Sequence, residues 1–238
     1  MKKAVISMSG GLDSTCLAMK LLNEGYEVKA YAFDYGQKHS IELEKLKNNI
    51  ELLQKFPITL QIINLKDVFN DSCSSLNGVG EIPQADYDEE SMKSTVVENR
   101  NVIFSSIIYG KALSWANKTG EDVIITLGIH GGDHALYPDT TEESFQAAAH
   151  LFKISNWGSE RVTYNAPFVN INKAGVLKEG LDSMEKMGLT DLEINEILKN
   201  THSCYDPVDG KSCGKCGTCK ERLEAFESNL LKDPIQYR

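Results

Sequence analysis

The sequence predicts an α/β fold: an open, mainly parallel sheet with helices on both faces, followed by a C-terminal helical segment that carries a four-cysteine knuckle. Three observations predict it. Apolar runs of strand length alternate with amphipathic helical stretches over the first 65 residues, a glycine turn joins the first run to the first helix, and four of six cysteines crowd between 204 and 219. Strand–helix repeats of this length need crossover connections, which are right-handed and cover both faces of a parallel sheet.

The elements follow in order. Lys3 to Met8 is the first strand, and the helix after the glycine turn has its apolar spacing at Leu17, Leu21 and Leu22 and stops at Gly25. Val28 to Phe33 is the second strand. Ser40 to Phe56 is a charged amphipathic helix with Ile41, Leu46, Ile50 and Leu53 on one side, closed by Pro57, and Ile58 to Leu65 is the third strand. Residues 66 to 98 are polar and long for a connection, a pattern typical of functional loops. A helix (Asn101 to Asn117) and a strand (Asp122 to Leu127) resume the alternation, and a second irregular stretch runs from Gly128 to Thr141. A further helix precedes a strand at Thr163 to Val169, after which Asn172 caps a helix over Lys173 to Met187. Thr190 and Glu193 have the spacing of a capping box, and a last helix covers Thr218 to Leu231. The expected division is residues 1–199 as the sheet domain and 200–238 as the knuckle with its helix.

Composition narrows the function. Thirty-four acidic residues against 25 Lys and Arg give a formal charge of −9, which repels a phosphate backbone and argues against broad nucleic-acid binding. The apolar run at the N-terminus is too short for a secretory signal, and no later run could span a bilayer, so a cytoplasmic location without membrane association is expected. Crowded cysteines in such a chain point to metal binding rather than disulfides. Cys16 and Cys73 lie apart and are expected to be packing residues.

Two motifs carry chemistry. Ser9-Gly10-Gly11-Leu12-Asp13-Ser14 sits between a strand and a helix, where glycines expose backbone N–H groups and the helix N-terminus adds partial positive charge. That placement suits a phosphate, although a plain tight turn has the same composition, and Asp13 equally suits a helix cap. Cys204, Cys213, Cys216 and Cys219 form C-x8-C-x2-C-x2-C, with glycines at 214 and 217 that allow the turns of metal knuckles. Four thiolates close a tetrahedral site, so the expected ion is structural zinc, with an iron–sulfur cluster the lesser alternative.

Read together, SGGLDS, DYGQKH from Asp34, NRN from Asn99, GDHALYPD from Gly132 and the cysteine pattern resemble the 7-cyano-7-deazaguanine synthase family of the queuosine pathway. This family lies within the N-type ATP pyrophosphatase (PP-loop) superfamily, whose adenine-nucleotide α-hydrolase-like fold is the one expected here. The resemblance runs from about Lys3 to about Glu227. It implies an enzyme of the carbon–nitrogen ligase class that uses ATP, Mg²⁺ and ammonia to convert 7-carboxy-7-deazaguanine to the 7-nitrile through an adenylate and an amide, usually as a homodimer with one Zn²⁺ per subunit. It implies ATP contacts at Ser9, Gly10, Gly11, Leu12, Asp13, Ser14, Phe33 and Tyr35, and catalytic roles for Asp13, Arg100 and Lys173. Substrate contacts fall to Arg100, Asn101, Asp133, His134, Tyr137 and Asp139. Thr140-Thr141, Gly175 and Glu98-Asn99 depart from the family's pattern of Cys-Arg, an acidic residue and Pro-Gly. A relative that stops at an amide on a protein amine, in anti-phage defence, is the alternative, and a tRNA-modifying PP-loop enzyme a weaker one.

Overall fold

A computed structural model describes residues 1–77, 80–83, 90–130 and 137–238. Five parallel strands form one sheet in the order β3-β2-β1-β4-β5. They are β1 (Lys2–Ser7), β2 (Tyr26–Asp34), β3 (Ile58–Asn64), β4 (Val123–Leu127) and β5 (Val162–Asn165). The helices are α1 (Leu12–Asn23), α2 (Ile41–Leu52), α3 (Arg100–Thr119), α4 (Glu142–Ser155), α5 (Lys173–Lys186), α6 (Asp191–Lys199) and α7 (Gly217–Ser228).

Strand periodicity sorts side chains into two cores. Ala4, Ile6, Val28, Ala30 and Ala32 join residues of α1, α2, α5, α6 and α7. Val5, Tyr31, Phe33, Val123, Ile125 and Leu127 join α3 and Phe152 of α4. Chain direction reverses its order across the sheet beside β1, which leads outward to β2 on one side and β4 on the other. A crevice opens at the carboxyl ends of strands at such a switch point.

Helix ends follow local chemistry. Asn172 Oδ1 accepts from Gly175 N at 3.0 Å, and Thr190 and Glu193 form the reciprocal capping box. Two expected boundaries are corrected. β5 ends at Asn165 rather than Val169, since Pro167 has no N–H for the ladder, and buried Phe168 continues the apolar run as a turn. The helix expected to reach Phe56 ends at Leu52, four residues short of Phe56, the position where Pro57 disfavours helical backbone. Cys73 is exposed, not a packing residue. Its N–H faces Glu98 Oε1, and Ser72 Oγ donates to Glu98 Oε2 at 2.6 Å.

Two contacts fix how the helices sit. A Cβ on Gly180 of α5 would lie 2.4 Å from Cys16 Sγ and 2.8 Å from Cys16 Cβ of α1, so these helices meet at van der Waals contact. Arg222 of α7, fully buried, pairs bidentately with Asp233 at 2.7 and 3.0 Å and donates to Thr201 Oγ1 at 2.7 Å. Asp233→Ala leaves that guanidinium buried without its counter-ion. The expected loss is about 3–5 kcal/mol of stability, measurable by denaturant unfolding against the parent chain.

Candidate active site

The glycine loop between β1 and α1 is built by restraint. Gly10 has φ +96, and a Cβ there would lie 2.3 Å from the Glu42 carbonyl oxygen, so only glycine lets the turn seat against α2. Gly11 is the N-cap of α1 and supplies no side chain to cap it; α4, α5 and α6 are capped by Thr141, Asn172 and Thr190, while α2, α3 and α7, like α1, have no side-chain cap. The first-turn amides of α1 are therefore left for an anion. Ser9 Oγ accepts from Gly11 N at 3.1 Å and lies 3.3 Å from Ser14 Oγ, which braces the turn. On the other side Gly128, after β4, presses on the loop: its Cβ would lie 2.9 Å from Ser14 N and 3.0 Å from Ser14 Cα. Gly128→Ala must push that backbone, and an ångström of misplacement costs about a hundredfold in rate. The expected result is at least a tenfold fall in activity with little change in melting temperature.

Charges of both signs gather beside the loop. Lys173, at the first turn of α5, is 5% exposed, and its Nζ lies 3.3 Å from Asp13 Oδ2 and 2.8 Å from Glu221 Oε2. Burial opposes its charge, but the two carboxylates outweigh burial and hold the ammonium above its ordinary value. His130 Nε2 is 3.7 Å from Asp13 Oδ2 and 3.8 Å from Glu221 Oε1. Asp13 Oδ1 is buried with no hydrogen-bond partner among the described residues, an acceptor suited to a divalent cation.

Arg100 opens α3 from an Asn99 held at φ +56, a conformation that glycine adopts freely and asparagine tolerates. This accounts for asparagine at that departure. Among the described residues the Arg100 guanidinium donates only to neutral oxygens, Asn101 Oδ1 at 3.3 Å and Tyr35 OH at 3.4 Å, and has no carboxylate pair. Burial opposes its charge, yet the oxygens of Tyr35 and Tyr205 and the Asp139 carboxylate hold it above its ordinary value. Tyr137 OH lies 2.9 Å from Thr95 Oγ1, and Thr141 caps α4, so the Thr140-Thr141 departure has a structural use.

One cleft of about 290 Å³ collects these groups. Ser9, Gly11, Asp13, Ser14, Phe33, Tyr35, Arg100, Asn101, Tyr137, Asp139 and Lys173 all line it. Gly10 lies beneath the loop rather than in the lining, and the Leu12 side chain points into the core. Asp133 and His134 lie outside the described residues. Glu42 and Glu221 also line the cleft, and sequence reasoning passed over both. His39-x-x-Glu42 places both residues one helical turn apart, and Glu221 follows the last cysteine by two positions.

Behind the cleft, the sulfurs of Cys204, Cys213, Cys216 and Cys219 lie within 4.8 Å of one another, all buried. Thiolates at about 2.3 Å from a tetrahedral ion stand about 3.8 Å apart, and Cys213 Sγ and Cys219 Sγ are separated by 3.9 Å. Backbone N–H groups of Asp206 and Cys213 donate to Cys204 Sγ, and those of Lys215 and Cys216 to Cys213 Sγ, as anionic sulfurs require. The cluster could therefore hold a metal ion. It ties into the cleft twice: His202 N donates to Gly10 O at 2.9 Å, and α7, which starts directly after Cys216, carries Glu221.

Comparison with known proteins gives this arrangement a context. The family model described as queuosine biosynthesis protein QueC matches residues 3–230. A protein of Colwellia psychrerythraea named 7-cyano-7-deazaguanine synthase 2 is 38% identical over 237 residues, covering 100% of this chain and 99% of its own. Proteins named 7-cyano-7-deazaguanine synthase from Pseudoalteromonas atlantica and Caldicellulosiruptor saccharolyticus are 39% and 38% identical, each covering 99% of this chain and, respectively, 99% and 95% of their own. No helix among the described residues is long and apolar enough to cross a membrane. With a match along nearly its whole length and relatives this similar from end to end, the chain belongs to the family of queuosine biosynthesis protein QueC.

Proposed function

We propose that this protein activates the carboxylate of 7-carboxy-7-deazaguanine by adenylation with ATP, then replaces AMP with ammonia and dehydrates the resulting amide to the nitrile. The observation that carries the proposal is that the uncapped phosphate loop and the Arg100 guanidinium, which lacks a carboxylate partner among the described residues, line the same cleft. One suits a pyrophosphate and the other a substrate carboxylate, the two reactants that adenylation must join.

A carboxylate is a poor electrophile because oxide is a poor leaving group. Arg100 orients the carboxylate for attack on the α-phosphorus, and the amides of the loop with Lys173 Nζ hold the negative charge that collects on departing pyrophosphate. Asp13, with its free buried oxygen, would hold Mg²⁺, which supplies further charge neutralisation at the phosphates. Tyr35 and Phe33 offer aromatic surface for a base, and Tyr137 and Asp139 a face and an acceptor for the deazaguanine. The four cysteines would hold structural Zn²⁺, since their sulfurs fill a tetrahedron and leave no open position.

Incubation with ATP, ammonium and 7-carboxy-7-deazaguanine tests the proposal. AMP, pyrophosphate and a product with the mass of the nitrile are expected. ADP as the nucleotide product, an amide that never proceeds further, or ATP consumption indifferent to the acid would overturn it.

A further inference from the structure

Glu42, a buried carboxyl in the cleft lining, is not explained by packing alone. It sits in the first turn of α2, 7% exposed, and its backbone oxygen is the atom on which Gly10 of the phosphate loop rests. Oε1 accepts from Gln37 Nε2 at 3.0 Å and faces His39 Nε2 at 3.6 Å. Gln37 is fixed in turn, accepting from Tyr35 N at 2.9 Å and donating to Phe33 O at 3.1 Å. No Lys or Arg pairs with Glu42 among the described residues. The His39 imidazole lines the same cleft, and its Nδ1 is buried with no partner among the described residues. A buried carboxyl without a cation costs several kcal/mol if ionised, and a packing role would be met as well by glutamine.

Resting on the adenylation reading above, we infer that Glu42, backed by His39, is the base that takes a proton from ammonia's nitrogen as it displaces AMP. In that step the nitrogen lone pair forms a bond to the acyl carbon, and the bond from that carbon to the AMP oxygen breaks with its electron pair leaving on AMP. One N–H proton passes to the Glu42 carboxylate and returns to water before the next turnover.

The surroundings suit the role. Burial pushes the Glu42 carboxyl up to about 8, offset in part by the Gln37 N–H and by Arg100. Burial, with His202 and Arg100, pushes His39 down to about 3, so the imidazole stays neutral beside it. The titratable and charged groups facing the pair are Tyr35 from the end of β2, Arg100 from α3, and His202, Tyr205 and Cys216 from the cysteine segment. The base is thus carboxylate only at mildly alkaline pH, where free ammonia also accumulates.

The test separates the two halves of the reaction in Glu42→Gln, which keeps the shape and the Gln37 contact. Pyrophosphate–ATP exchange driven by the acid without ammonia reads adenylation, and ammonia-dependent product formation, followed across pH at fixed free ammonia, reads displacement. Exchange is expected to persist, while displacement falls about 10²–10⁴-fold and loses its rise near pH 8; Glu42→Asp recovers part of the rate. A fall of less than tenfold in displacement, or a retained rise near pH 8, overturns the inference. So does an equal loss of both halves, which would mark Glu42 as a support for the loop. Absence of exchange in the parent protein is a different failure, and it takes the adenylation reading down as well.

Discussion

Asp13→Asn is expected to reduce acid-dependent pyrophosphate release by at least about a hundredfold, the usual cost of losing one charge-stabilising group at a transition state. The substitution keeps size and leaves Lys173 one carboxylate, Glu221, at 2.8 Å, so the ammonium is not stranded. What disappears is the negative charge beside the loop, and one of the two carboxylate oxygens becomes an NH2 donor that cannot bind a cation. Melting temperature should change by no more than a few degrees. If release continues at the parent rate, Asp13 takes no part in handling the phosphates and serves only as a counter-ion to Lys173.

Cys216→Ser is expected to have the largest effect on stability. A bound structural zinc is worth about 10–16 kcal/mol of apparent folding energy in small zinc modules, comparable to the whole stability of an ordinary domain at about 5–15 kcal/mol. Cys216 both offers a sulfur to the cluster and stands at the start of α7, the helix that buries Ala225 and Phe226 in the core shared with α1 and α5. The variant should lose its metal and melt at least about 10 °C lower, and in the cold, where it stays folded, its affinity for ATP should fall by less. Elemental analysis of the parent protein, together with calorimetry of both, decides the matter. A parent chain free of metal, or a variant that melts with it, contradicts the assignment.

Much of this architecture was legible because its determinants are local. Asn172 with Gly175, and Thr190 with Glu193, are caps written into adjacent residues, and the helices start where those residues put them. Cys204 to Cys219 is legible for the same reason, a spacing that closes a short loop. Pro167 was legible too and was overlooked: the apolar run from Thr163 to Val169 outweighed the one residue that ends the ladder. Glu42 and Glu221 are different. Acidic residues on amphipathic helices ordinarily face water, and only the approach of Gly10 to α2, and of α7 to α5, turns these two inward. Burial of that kind is a tertiary property with no local signature.

The contact between Gly180 and Cys16 reaches beyond packing. α1 begins at the phosphate loop with Asp13 and α5 begins with Lys173, and the two helices touch where a single added carbon would overlap a sulfur. Neither cylinder can slide or roll against its neighbour without a collision at that point, so the spacing of acid and ammonium at their leading ends is set from less than one turn along α1 and about two turns along α5. Positions 16 and 180 should therefore drift as a couple in descendants of this gene: a methyl group at 180 is tolerable only where 16 has shrunk to glycine.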